Sequence, residues 1–176
     1  MSVGGPDRIV LERWTVTSGS NANSRAAVVL RAGAHDWHAS TEGNGAVDAL
    51  FKAVDAALAD VLGGHPALLA YDVHALAEGP DAEGRATVLI APPSSAAGAR
   101  ADGRFAGGSS STNTIAASVE AYIEALNAML GSAFWAGAAA EAGAAHGVSS
   151  SADHGATGAV LDVEAEPIDA TGWFNR

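Results

Sequence analysis

A near-repeat inside the chain is the feature that most restricts how it can fold. Residues 25–30 read Arg-Ala-Ala-Val-Val-Leu, and residues 85–90 read Arg-Ala-Thr-Val-Leu-Ile. Each of these β-prone segments is followed by a turn, a short strand, a small-residue turn and one amphipathic helix. Two rounds are too few for a solenoid, so they predict one pseudo-symmetric domain. The expected fold class is α+β, with two βββα units whose helices each cover one face of their own sheet.

The two predicted units divide the chain at a Gly-Gly-His-Pro stretch, with the first at 8–63 and the second at 64–131. The first unit is expected to contain strands at 8–17, 26–30 and 37–41 and a helix at about 45–62 that ends at Gly63. The second is expected to contain strands at 68–76, 85–90 and 104–106 and a helix capped by Thr112 or Asn113 that ends at Gly131. Residues 107–111, which read Gly-Gly-Ser-Ser-Ser, are predicted to form a turn before that helix.

Composition changes abruptly after residue 131, toward alanine, glycine and serine. This bias predicts a linker at 132–158, with residues 147–158 mobile because they cannot bury enough apolar area to offset the entropy of ordering. Residues 159–176 form a C-terminal tail that either docks through its aromatic side chains or stays disordered.

Charge excludes two classes of partner. The chain has 9 Lys and Arg residues against 20 Asp and Glu residues, a net charge of -11. Nucleic-acid binding needs a basic face, and so does attraction to an anionic membrane surface. The chain lacks cysteine, a signal-peptide core and any run of the roughly 18 apolar residues that a spanning helix needs. We therefore expect a soluble cytoplasmic protein.

The predicted start of the first helix is the best candidate for a binding site. Gly43 and Gly45 flank an asparagine, and Gly45 is expected to be the N-cap with Asp48 in the first turn. Val47 begins an apolar stripe with helical spacing. A helix start with bare amides and no bulky side chain over them can receive a carboxylate or another anion. An ordinary tight turn from strand to helix is the more common meaning of such a pattern.

Catalytic or metal-binding constellations are not evident in the sequence. His35 and His38 lie close together, but on a strand they would face opposite sides, which is poor geometry for a metal. The serines at 109–111 have no histidine nearby and no Gly-x-Ser-x-Gly turn. We therefore predict no catalytic residue, no metal site and no cofactor.

Four ordered segments nevertheless resemble a known family. They read Gly-Asn-Gly-Ala-Val-Asp-Ala-Leu at 43–50, Leu-Leu-Ala-Tyr-Asp-Val-His-Ala-Leu at 68–76, Gly-Pro-Asp-Ala-Glu-Gly at 79–84, and Asn-Thr-Ile-Ala-Ala-Ser-Val-Glu-Ala-Tyr at 113–122. In order and spacing they are similar to the C-terminal regulatory, or allosteric and dimerisation, domain of 2-isopropylmalate synthase, which citramalate synthase shares. The resemblance covers about residues 10–130 and implies the same two βββα units.

The resemblance also implies a function: a homodimer that binds leucine, or another branched-chain amino acid, at the interface between two such domains. The ligand-contacting positions that it implies are Gly43, Gly45, Val47 and Asp48 at the first helix start, and Leu68, Tyr71, Ala75 and Ala82 on and after the following strand. Amides and a helix dipole would hold the α-carboxylate, and Val47, Leu68 and Ala75 would wall the isobutyl group.

Departures from the family pattern leave the ligand open. Ala46 replaces the family's proline after the second glycine, and Gly107-Gly108-Ser109 stands where the second unit usually has Gly-x-Gly. A catalytic barrel would need roughly 250 residues, so the condensation reaction is not expected of this chain. Three functions compete: a free-standing amino-acid sensor, a dimerisation module without a ligand, and a non-catalytic piece of a split synthase that works with a barrel partner.

Overall fold

The computed structural model describes residues 8–94 and 103–132, and in this part of the chain two antiparallel three-stranded sheets are each followed by a helix. The elements are β1 Val10–Gly19, β2 Ala22–Ala32, β3 His35–Gly43, α1 Ala46–Ala57, α2 Ala59–Leu62, β4 Ala67–Ala75, β5 Gly84–Ala91, β6 Phe105–Ser111 and α3 Thr114–Leu130. The strand orders are β1-β2-β3 and β4-β5-β6, so the repeated strands β2 and β5 are central. The α+β fold with two βββα arrangements is confirmed.

The two units match each other in register as well as in order. Ser24 of β2 pairs with Gly43 at the end of β3, and Gly84 of β5 pairs with Ser111 at the end of β6. Gly43 and Ser111 therefore hold equivalent places, immediately before the loop that leads into each helix. The match allows each residue of one unit to be compared with its counterpart in the other.

Both central strands alternate between buried and exposed residues, as expected when one face of a sheet packs against a helix. In β5 the buried residues include Ala86, Val88 and Ile90, each with an exposed fraction of 0%. Helix α1 packs on β2 and β3, and helix α3 packs on β5 and β6. The first strand of each sheet is therefore the least covered by its own helix.

The two units share one core because their helices also pack against each other. The ring of Phe51 on α1 stacks on that of Tyr122 on α3, with centroids 4.4 Å apart and planes 15° apart. The start of the chain is fastened to the second unit as well. Ile9 N donates to Asn127 Oδ1 at 2.9 Å, and Asn127 Nδ2 donates to Ile9 O at 2.8 Å. Arg8 adds an ion pair with Glu124.

The predicted helix at 45–62 is interrupted in the structure. Leu58 leaves helical geometry, with φ -99° and ψ 15°, and separates α1 from the short α2. The carbonyl of Leu58 accepts from Val61 N at 2.9 Å and from Leu62 N at 2.8 Å, which closes one further turn. That turn buries Val61 and Leu62. The predicted end at Gly63 is confirmed, since this residue is left-handed with φ 64°.

The predicted turn at 107–111 is wrong, because these residues belong to β6. Gly107 pairs with Val88 inside the sheet. A Cβ at Gly107 would lie 2.1 Å from Ala121 O and 2.3 Å from Ala125 N, so the glycine lets α3 approach the strand closely. The helix itself begins as expected, with Asn113 as its N-cap.

Some expectations lie outside the described residues. The linker and tail predicted beyond Ser132 belong to this class, and so does most of the loop predicted at 92–103. Among the residues that are described, no helix is long and apolar enough to cross a membrane.

Neighbouring glycines on β6 provide a test of this close packing. Gly107→Ala should lower the free energy of unfolding by about 1–3 kcal/mol, because the new methyl group meets helix backbone. Gly108→Ala is the matched control. Its Cβ would meet nothing closer than 3.5 Å, so this substitution should be neutral or slightly stabilising. Urea denaturation of both variants makes the comparison, and equal effects would contradict the close packing of α3 on Gly107.

Candidate functional site

The start of α1 leaves backbone amides free of any side-chain cap. Gly45 is the N-cap, with an extended φ of -156°, and its position offers no side chain to accept from the first turn. Helical hydrogen bonding begins with Ala49 N, which donates to Gly45 O at 2.9 Å. The three amides before Ala49, those of residues 46–48, therefore have no acceptor within the helix. A Cβ at Gly45 would meet no atom within 4 Å, so space is open in front of them.

The equivalent start of α3 is closed by the chain itself. Asn113 occupies the N-cap, and its Oδ1 accepts from Ile115 N at 3.1 Å and from Ala116 N at 3.3 Å. Two helices in the same place of the same kind of unit thus differ in one respect: the second satisfies its own first-turn amides, and the first does not. The fold accommodates a capping side chain at that position, and α1 has a glycine there.

Asp48 lies in the first turn of α1 but folds back over the preceding loop. Its Oδ2 accepts from Asn44 N at 2.9 Å and from Lys52 Nζ at 2.8 Å. The hydrogen bond from Lys52 and then that from the Asn44 amide hold the pKa of Asp48 below its ordinary value. Gly43 is needed beneath this carboxylate, because a Cβ there would lie 2.5 Å from both Asp48 Oδ2 and Ala49 N.

A β-bulge gathers three of the predicted ligand residues on one face of β4. Leu68 pairs with Ile90, Tyr71 with Val88 and Ala75 with Gly84, and the register shifts between Leu68 and Ala70. Directly opposed residues of an antiparallel pair share a face, and these β5 partners are buried on the helix side. Leu68, Tyr71 and Ala75 therefore all lie on the helix side of β4. We call these three residues the β4 face.

The β4 face is open although it belongs to the side of the sheet that packs on helices. Helix α3 covers β5 and β6, and Leu68 and Tyr71 remain 49% and 39% exposed. Leucine and tyrosine side chains on the inner side of a sheet are normally covered. This apolar surface is thus available to a ligand or to a second protein surface.

Tyr71 connects the β4 face to both helices. Its ring meets the edge of Phe51 on α1, with centroids 5.8 Å apart and planes at 81°. Its hydroxyl lies 2.7 Å from Ser118 Oγ on α3. Phe51 lies one helical turn after Val47, on the same face of α1. The contact between Phe51 and Tyr71 therefore places Tyr71 against the α1 face that begins beside the uncapped amides.

The structure brings only part of the predicted set together. Tyr71 lies beside α1, whereas no hydrogen bond or ion pair within the described residues joins β4 to the turn at 43–48. Ala82 lies in the loop between β4 and β5, where its amide donates to Gly79 O at 3.2 Å. Gly43 is buried at the end of β3, and Val47 packs against the edge of the core. Of the β4 residues in the predicted set, Tyr71 therefore contacts the helix that follows the turn at 43–48, through the ring of Phe51.

A buried carboxylate between the helices escaped the sequence analysis. Tyr122 Oη donates to Asp55 Oδ1 at 2.6 Å, and His65 Nδ1 lies 3.6 Å from Asp55 Oδ2. Burial raises the pKa of Asp55, although the hydrogen bond from Tyr122 and the nearby His65 act in the opposite direction. Burial and the adjacent Asp55 raise the pKa of Tyr122. In sequence Tyr122 belongs to the apolar stripe of its helix, and nothing local marks Asp55 as its partner.

The His35 and Asp36 pair shows no sign of metal-binding geometry. Asp36 instead forms an ion pair with Arg31, at 2.7 Å from Nε, and His35 lies against the ring of Trp37. Across the residues that the structure describes, no group of three or more potential ligand side chains is clustered.

Comparisons with known proteins agree with this architecture. A family model described as the LeuA allosteric (dimerisation) domain matches residues 2–130. A 2-isopropylmalate synthase of Aromatoleum aromaticum is 36% identical over 120 residues, which are 68% of this chain and 21% of that protein. Those of Nitrosococcus oceani and Aquifex aeolicus are 33% and 35% identical over 125 and 127 residues, or 70% and 72% of this chain. The chain thus spans about a fifth of the length of these relatives.

The buried Asp55 predicts a specific pH dependence of stability. Its folded pKa is raised, so its contribution is present below the ordinary carboxyl pKa and is lost as pH rises through the folded pKa. Asp55→Asn keeps an oxygen for Tyr122 but stays neutral. The stability of the wild type relative to this variant should therefore fall as pH rises above about 4, the ordinary carboxyl pKa, as measured by urea denaturation.

Tyr122→Phe serves as the second variant in this experiment. Without the hydroxyl donor, the Asp55 carboxylate loses the partner that favours its charged form. Its stability should fall more steeply with pH than that of the wild type. Parallel curves for all three proteins would show that Asp55 is not a perturbed carboxyl.

Proposed function

Because the chain belongs to the family of LeuA allosteric (dimerisation) domains, we propose that it is a regulatory domain that binds a branched-chain amino acid, most readily leucine. In this proposal the α1 start holds the α-carboxylate, and the β4 face and Val47 enclose the side chain. The binding links the domain to leucine biosynthesis, in which the similar synthases act. The domain has no catalytic role of its own.

The observation on which this proposal rests is the difference between the two helix starts. Asn113 closes α3, whereas Gly45 leaves the first amides of α1 open at the equivalent place. Backbone N–H groups and the positive end of a helix dipole together favour a carboxylate. Because Asn113 caps α3 and nothing equivalent caps α1, we infer that the first backbone amides of α1 are donors for an external anion.

The second element of the proposal is a homodimer formed through the β4 edge. Among the described strands, none pairs with β4 on its outer side. At its bulge it has Leu69, 45% exposed, where the equivalent bulge of β1 has the charged Glu12. Charged side chains on an edge strand prevent pairing with another chain, and apolar ones permit it. A two-fold interface there would also bring the β4 face of one copy near the α1 start of its partner.

Two related functions remain as alternatives. A dimerisation module without a ligand would keep the β4 interface and bind no amino acid, and the loss of the family's proline at Ala46 is the feature that favours it. A regulatory part that acts with a catalytic partner is the second alternative, because the proteins that the chain matches over about a fifth of their length are 2-isopropylmalate synthases. Calorimetry with amino acids distinguishes the ligand-free dimerisation module from an amino-acid sensor. A pull-down of a catalytic partner would identify the regulatory part of a synthase.

Calorimetry with leucine, isoleucine and valine tests ligand binding. Leucine should bind, and valine should bind about 10- to 200-fold more weakly, because it lacks one methylene. Gly45→Asn should abolish binding, since its side chain can cap the α1 amides as Asn113 caps α3. It should also raise the free energy of unfolding by about a few tenths of a kcal/mol.

Two further variants control this result. Gly45→Val adds bulk without a cap, so it should block binding with no gain in stability, and the open space at this position accepts it. Asn113→Gly removes the cap of α3, so it should lower stability while leucine binding persists. No heat and no thermal shift with any of the three amino acids would refute the sensor function and favour the ligand-free module.

Sedimentation tests the dimer. The wild type should be a dimer at micromolar concentrations, and Leu69→Lys should be a monomer, because a charge on the β4 edge cannot be buried unpaired. Thr15→Lys, at an exposed position of β1, is the matched control and should remain dimeric. A monomeric wild type, or dimers of both variants, would exclude this interface.

A further inference from the structure

The direction of the backbone groups along β4 follows from the residue that comes directly after this strand. Leu76 N donates to Glu83 O at 2.8 Å, so the amide of Leu76 points toward β5. Successive residues of an antiparallel pair alternate between hydrogen-bonded and non-hydrogen-bonded positions. Asp72 and His74 therefore direct their backbone N–H and C=O groups toward β5. The residues of the alternate set direct theirs toward the open edge, and these are Tyr71, Val73 and Ala75.

The bulge limits the part of β4 that can pair regularly with a second strand. The register shifts between Leu68 and Ala70, and a bulge disrupts the ladder where it lies. The spacing is regular from Ala70 to Leu76, and the middle residue of this segment is Val73. Two copies related by a two-fold axis therefore match over the whole regular segment only when the axis passes at Val73.

Side-chain sizes along this segment are complementary in that register. With the axis at Val73, Leu76 lies opposite Ala70 of the partner subunit. Tyr71 lies opposite Ala75 of the partner subunit in the same way. Leu76 and Tyr71 are 51% and 39% exposed in one copy, so each large side chain gains cover from a small residue opposite it.

Charges along the segment select the same register. With the axis at Val73, Asp72 lies opposite His74 of the partner subunit, at non-hydrogen-bonded positions where opposed side chains are closest. An axis at Asp72 would instead place two carboxylates opposite each other, which is destabilising. In one copy His74 Nδ1 lies 3.2 Å from Asp72 Oδ2, and His74 pairs with Arg85 of β5. The polar residues of this edge are thus compatible with pairing in one register.

We propose that two copies of this chain pair β4 with β4 in an antiparallel register centred on Val73, so that Asp72 of each copy faces His74 of the partner subunit. This inference rests on the homodimer of the proposed function and names the contacts of its interface. The two sheets become one continuous sheet of six strands. The equivalent edge of β1 lacks this match, because two threonines, Thr15 and Thr17, occupy the places of the carboxylate and the imidazole.

Disulfide cross-linking of the full chain reads the register directly, because the sequence contains no cysteine. Val73→Cys should form a covalent dimer on mild oxidation, since hydrogen-bonded partners have Cα atoms about 5.5 Å apart, within disulfide range. Ala75→Cys should not, because its two copies would lie four residues apart along the strands, about 13 Å. Val16→Cys, at the equivalent position of β1, is the matched control and should remain uncross-linked.

A mixture of two single variants gives a second reading from exposed positions. Asp72→Cys and His74→Cys should cross-link with each other when mixed, because directly opposed non-hydrogen-bonded residues have Cα atoms about 4.5 Å apart. Each variant alone places its two cysteines on a diagonal, at about 7–8 Å, and should cross-link much less. Both side chains are more than half exposed, so neither substitution disturbs the core.

Charge substitutions test the same contact by sedimentation. His74→Glu opposes two carboxylates twice in each dimer, so it should raise the dissociation constant about 2- to 30-fold. Adding Asp72→Lys to His74→Glu restores opposite charges and should recover most of the affinity. Thr17→Glu, which adds a carboxylate at the equivalent position of β1, is the control and should leave the dissociation constant unchanged.

The outcomes separate this register from the homodimer on which it rests. Cross-linking of Ala75→Cys in place of Val73→Cys would overturn the register and leave the β4 dimer standing. A dimeric wild type in which neither Val73→Cys nor the mixture cross-links would refute the pairing of β4 with β4. An unchanged dissociation constant in His74→Glu would refute the contact between Asp72 and His74. A monomeric wild type would refute the homodimer and the register together.

Discussion

The contact between α1 and α3 is the interaction on which the rest of this structure depends. Each sheet has one apolar face, and one helix covers mainly the second and third of its three strands. The stacking of Phe51 on Tyr122 joins the two half-covered units into a single core. The same contact sets the hydrogen bond between Tyr122 and Asp55 and the position of Tyr71 beside Phe51. Helix α3 covers β5 and β6, and Leu68 and Tyr71 on β4 remain 49% and 39% exposed.

Because the domain contains two similar units, their residues can be compared at structurally equivalent positions. Equivalent positions have the same backbone register, so a difference in residue type between them marks a difference between the units. The N-cap of α1 is Gly45, whereas that of α3 is Asn113. The bulge of β4 has Leu69, whereas that of β1 has Glu12. The backbone arrangement is thus common to both units, and the residues at the α1 start and on the β4 edge distinguish one unit from the other.

The sequence predicted what depends on local pattern and missed what depends on distant packing. The repeat, the succession of three strands and a helix in each unit, the cap at residue 112 or 113 and the end at Gly63 all follow from period and capping chemistry. The glycines of β6 look like a turn, because sequence alone does not show that a helix backbone lies over Gly107. The bond between Asp55 and Tyr122 spans 67 positions and leaves no local signal. The β4 positions came from family resemblance, and the bulge that groups Leu68 with Tyr71 appears only in the register.

The two-point bond between Ile9 and Asn127 has a topological consequence. It holds the first residues of β1 against the last turns of α3, so both ends of the folded domain lie side by side. Chain ends that are neighbours can be joined, and the backbone opened elsewhere, without disturbing the core. Within the described residues the chain passes from the first unit to the second once, near Gly63, and the order of the units along the chain is not a requirement of the fold. A circularly permuted chain, with the second unit first, would satisfy the same contacts.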